Sequence, residues 1–110
     1  MVPGGWSYDS HHADTRVTAR ACVLSARDNV ATVLSGAAAG ARIVFEFGAV
    51  YSAEDVPAGH KVALVAIPRG GKIVKFGVSI GSATRDIAPG QHVHIHNVAS
   101  DYTPTWEPAG

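Results

Sequence analysis

AGHKVALVAIPRGGKIVKFGVSIGSATRDIAPGQHVHIHN, residues 58–97, is cut by Gly59, Gly70, Gly71, Gly77, Gly81 and Gly90 into short apolar pieces. The pieces HKVALVAI, KIVKFG, VSIG, TRDI and HVHIHN are too short, and too weakly patterned at a period of 3.6, to form helices. Pro68 with Gly70-Gly71 carries the chemistry of a tight reversal, and Pro89-Gly90 suits the central positions of a type II turn. The reading is an all-β domain of short strands. Upstream, VTARACVLSA (17–26) reads as a strand, Asp28-Asn29 as turn residues before another apolar piece, and Ile43 to Phe47 as a β-branched and aromatic strand.

The chain has 110 residues, enough for one core but little surplus for a deep cleft. Nine Lys+Arg balance nine Asp+Glu, which argues against nucleic acid or an anionic membrane as a partner. No apolar run reaches the roughly 18 residues of a membrane span. The start of the chain lacks the basic and apolar regions of a secretion signal, so the cytoplasm is the expected compartment. Cys22, the single cysteine, has no partner for a disulfide or a thiolate zinc site and reads as a small buried residue. Residues 1–16 read as a loose arm, 17–98 as the domain and 99–110 as an extended tail able to lie across a partner.

Three of the six histidines alternate in HVHIH. On a strand, His92, His94 and His96 share one face while Val93 and Ile95 anchor the other to the core. Neighbours two apart sit about 6.6 Å from each other, so one His-x-His pair can share a metal ion, with His94 and His96 the candidate pair. His60 and Lys61 open a strand after Gly59, at its rim. Lys75 and Arg85, between glycine turns, are candidate carboxylate contacts, as is Asn97 beside the histidines. A phosphate loop, His-Glu-x-x-His and Gly-x-Ser-x-Gly are all missing.

Read as one span, residues 58–97 resemble the SAF domain at the N-terminus of altronate and galactarate dehydratases, the UxaA-like hydro-lyases. DNVAT (28–32) resembles the family's other landmark after its first strand, and Phe76 stands where tyrosine is common. The resemblance implies a β-clip fold and, as in two-subunit sulfolactate sulfo-lyases, a small subunit acting beside a large UxaA-type catalytic subunit. It further implies elimination of water or sulfite from a hydroxy acid such as a sugar acid or sulfolactate. A divalent metal (Fe, Mn or Zn) would be held mainly by the partner. His92, His94 and His60 are then the catalytic candidates, and Lys61, Arg85, Lys75 and Asn97 the substrate-binding ones. Two rival readings are a non-catalytic binding or assembly module and a stand-alone metal-binding domain. Exposed strand edges also predict self-association when the chain is alone.

Overall fold

The computed structural model describes residues 18–101, and the expected arm and most of the expected tail lie outside them. The described residues form nine short strands: β1 (Thr18–Cys22), β2 (Val30–Val33), β3 (Arg42–Phe45), β4 (Gly48–Tyr51), β5 (Lys61–Ala63), β6 (Lys72–Lys75), β7 (Val78–Ala83), β8 (His92–Val93) and β9 (Val98–Ala99). They make a six-stranded sheet ordered β4-β3-β1-β2-β5-β8 and a three-stranded sheet ordered β6-β7-β9. The all-β expectation holds, and among the described residues no helix is long and apolar enough to cross a membrane. Val98 and Ala99 pair with β7, and Asp101 bonds Lys72 at 3.0 Å and Ser82 at 2.7 Å. The first residues of the expected tail are therefore part of the folded sheet.

The chain makes the same unit twice. Asp55-Val-Pro-Ala-Gly-His-Lys-Val62 matches Asp86-Ile-Ala-Pro-Gly-Gln-His-Val93, and the hydrogen bonds repeat with it. Gly59 N donates to Val33 O and Gly90 N to Ala63 O, each at 2.8 Å, while the Asp55 and Asp86 carboxylates accept from Ala39 N and Arg69 N, each at 2.9 Å. β5 closes the first unit and opens the second. The end of each unit is thereby laid against the other, as β5 beside β8.

Each face of the β1-β2-β5-β8 sheet carries its own core, because side chains alternate across a strand. Ala21, Val23, Ala31, Val33 and Val62 pack with Ile43 and Val56 on one side. Val30, Ala63 and Val93 pack with Ile67, Ile73 and Ile87 on the other. The DNVAT landmark joins the two sheets. Asn29 Oδ1 accepts from Val74 N at 2.7 Å and its amide donates to Lys72 O at 2.8 Å, while Asp28 Oδ1 accepts from Gly77 N at 2.7 Å. The β6–β7 hairpin is thus clamped to the turn between β1 and β2.

Both proline-glycine reversals form as read. Gln91 N donates to Ala88 O with Gly90 at φ +86°, and Gly71 N donates to Pro68 O with Gly70 at φ +84°. The HVHIH reading needs correction. Strand geometry ends at Val93, and residues 94–97 turn away. Asn97 is the cause: its Oδ1 accepts from His94 N at 2.9 Å and its amide donates to His92 O at 2.8 Å, closing a tight turn. Ile95 is consequently no core anchor and is 84% exposed.

Two substitutions test this frame. A Cβ at Gly90 would stand 2.0 Å from Tyr51 O, on top of the positive φ, so Gly90→Ala should cost more than about 2 kcal/mol in urea unfolding. Asn29→Ala, which strips two hydrogen bonds, should cost about 1–3 kcal/mol. Wild-type midpoints for both would refute the described packing.

Candidate metal centre at the sheet edge

The register of β5 on β8 pairs Val62 with His92 and Lys61 with Val93. Just past the end of that ladder, the rings of His60 and His94 stack. His60, Val62, His92 and His94 thus project from one face, at the exposed edge where β8 ends the sheet. His60 and His92 are half-buried. The His60 and His94 ring centroids lie 4.2 Å apart, His60 and His92 5.0 Å, and His92 and His94 5.6 Å. One nitrogen from each of the three comes within 4.8 Å of the others. Two nitrogens on one tetrahedral ion, each about 2.0–2.1 Å from it, stand a little over 3 Å apart, so small rotations would bring this trio onto a single cation.

His60 Nδ1 and His92 Nε2 are 2.8 Å apart, a hydrogen bond in which one ring carries the proton. The pKa of His92 is held below the usual histidine value, first by burial and then by the charges of His60, His96 and His94, with Glu54 opposing. A neutral imidazole is the form that binds metal. The backbone around it is fixed as well. Glu54 Oε2 accepts from His92 N at 3.0 Å, Ala53 N donates to Gly90 O at 2.8 Å, and Asn97 holds His92 O and His94 N.

The remaining candidates divide between two places. His96 leaves the strand with the turn, yet its ring lies 5.2 Å from that of His92, and Arg85 Nη2 donates to His96 O at 3.1 Å. These two border the cluster, and the nitrogen trio contains His60 rather than His96. Lys61 belongs to the opposite face, in the row Cys22–Thr32–Lys61–Val93, and is separated from the imidazoles by the sheet. Lys75 lies with it: its ammonium sits 3.1 Å from the Phe76 ring centroid, and its pKa is lowered by burial and then by the charge of Lys61. Asn97 is buried and its side chain bonds the turn. Glu54 carried no signal in the sequence. The spacing of His60 and His92 did, through the duplicated Asp-Val/Ile-x-x-Gly segment that sets both unit ends on adjacent strands.

Short crossed hairpins, an exposed edge strand and three convergent imidazoles define a small all-β domain of the β-clip type with a candidate metal centre. Residues 19–101 match the altronate/galactarate dehydratase SAF domain, and the chain belongs to that family. It is 41% identical over 78 residues to altronate dehydratase of Escherichia coli (strain K12), covering 71% of this chain and 16% of that one. Against altronate dehydratase of Bacillus subtilis (strain 168) it is 34% identical over 89 residues, 74% of this chain and 18% of the relative. It is also 46% identical over 43 residues to (2R)-sulfolactate sulfo-lyase subunit alpha of Paracoccus pantotrophus, covering 39% of this chain and 64% of that subunit. The chain therefore spans less than a fifth of the altronate dehydratases it matches.

Titration of the metal-free chain with Zn²⁺ or Mn²⁺ should show one site whose affinity falls at least about tenfold in His60→Ala and His94→Ala. His96→Ala should leave it within about threefold, whereas the reverse ranking would move the site to His94 and His96. Without metal, the lowered pKa of His92 means that the unfolded chain takes up its proton first as pH falls. Its contribution is complete above the ordinary value of 6.5 and is lost as pH drops through the folded value. Urea midpoints should thus fall between pH 7 and 5, and His92→Gln should flatten that slope.

Proposed function

We propose that this chain is the histidine-bearing small component of a UxaA-type lyase and completes the active site of a separate large catalytic chain. The reaction is elimination of water or sulfite from a hydroxy acid. The observation that carries the reading is the imidazole trio itself, ordered by Glu54 and Asn97 on a sheet edge that a second chain can cover. The family supports it, since its relatives are named as dehydratases and as a sulfo-lyase subunit, and most of the dehydratases' length lies beyond this domain.

In this reading His60, His92 and His94 contribute ligands to a divalent Fe, Mn or Zn ion, with further ligands from the large chain. When bound, the ion stabilises negative charge developing on the substrate carboxylate as the neighbouring proton leaves. His96, exposed and next to His92 but outside the nitrogen trio, presents a ring nitrogen that can hand a proton to or from substrate without giving up a ligand position. Arg85 is held beside it through the His96 carbonyl, and its remaining guanidinium hydrogens can pair with a substrate carboxylate. The large chain covers the edge and excludes water.

Reconstitution with the large chain tests this reading. His92→Ala or His94→Ala should lower kcat at least about tenfold with unchanged circular dichroism, and His96→Ala should lower kcat without loss of bound metal. Wild-type kinetics in all three would remove the histidine face from the reaction.

A further inference from the structure

The face opposite the imidazoles carries a second feature, independent of the metal reading. Between the β5–β8 edge of the larger sheet and the β6-β7-β9 sheet lies a cleft of about 250 Å³, walled by Ile73, Ile80, Val93 and Val98 with Lys61 among its lining residues. His94 borders one end, though its ring stacks on His60 on the other side of the strand edge. Lys61 is half-buried, and among the described residues no carboxylate lies within ion-pair distance of its ammonium. Its neighbouring cation, Lys75, is already engaged with the Phe76 ring and with the charge of Asp28. A cation partly withdrawn from water, with no carboxylate partner among the described residues and with aliphatic walls beside it, is a recognition element for an anion with an apolar body.

We propose that this cleft binds a short aliphatic monocarboxylate, with the carboxylate on Lys61 and the hydrocarbon between Ile73, Ile80, Val93 and Val98. The chemistry of the walls selects this class. Most of the lining is aliphatic, so a polyhydroxylated acid would leave most of its hydroxyls unpaired against isoleucine and valine, and a phosphate would find Lys61 as the one ammonium among the lining residues, with Ser100 and His94 as the other polar ones. The volume is below the roughly 300–1,000 Å³ of drug-sized pockets, which limits the hydrocarbon to a few carbons. Occupancy would be felt at His94, whose backbone is shared by the cleft border and the imidazole edge.

The test is an amide chemical-shift titration of the full metal-free chain with isovalerate, repeated with isovaleramide as its uncharged isostere. Isovalerate should give saturable shifts centred on Lys61, Ile73, Ile80, Val93 and Val98, with a millimolar Kd. Isovaleramide should bind at least about tenfold more weakly, and Lys61→Met, which keeps the aliphatic stem, should weaken isovalerate to the same degree. Absence of saturable shifts, shifts centred elsewhere, or equal binding of acid and amide would each overturn the assignment. The comparison of acid with amide uses the wild-type chain, so it decides even if Lys61→Met fails to fold. No metal is added, so the result stands apart from the imidazole site.

Discussion

The antiparallel register of β5 on β8 is the constraint from which the rest follows. Pairing Lys61 with Val93 and Val62 with His92 determines which side chains meet. A slip of one residue would send every side chain of the edge strand to the other face, burying imidazoles and exposing Val93. Val93 is held at 2% exposure within the second core, and Val62 is fully buried in the first. Each strand is thus pinned by one aliphatic residue on its own side of the sheet. Burial of two valines fixes the meeting of His60 with His92 and His94.

The duplicated unit explains why so short a strand is set so accurately. Each unit closes with a glycine at positive φ, Gly59 at +81° and Gly90 at +86°, whose N–H reaches back to the strand that opened the unit. At Gly90 the backbone of Tyr51 passes too close for any side chain, so the first unit's hairpin lies directly on the second unit's exit. From that contact Ser52, Ala53 and Glu54 follow, ending in the bond from His92 N to Glu54. The fold serves the site by stacking one copy of a motif on another, with backbone hydrogen bonds fixing the positions.

Much of this was legible in the residues. Glycine spacing and the two proline turns predicted short strands, and DNVAT with residues 58–97 predicted the family. The odd-even pattern of HVHIH was right for His92, Val93 and His94 and failed at Ile95, because Asn97 folds its side chain back to the backbone and ends the strand. Asparagine competes with a ladder in this way when turn geometry is near, a local effect that hydrophobic alternation does not register. His60 and Lys61, candidates for different roles in the sequence, lie on opposite sides of the sheet. Their separation places one in an imidazole cluster and the other in an apolar cleft. Glu54 could not be read at all, because its role depends on a crossing of chain segments 38 residues apart.

The most direct measurement is anomalous diffraction from crystals of the chain soaked in Zn²⁺ or Mn²⁺. The account predicts one strong peak within about 2.0–2.3 Å of a ring nitrogen from each of His60, His92 and His94, with His96 outside the coordination sphere. A peak shared by His94 and His96 without His60, or full occupancy elsewhere on the chain with this edge empty, would contradict it.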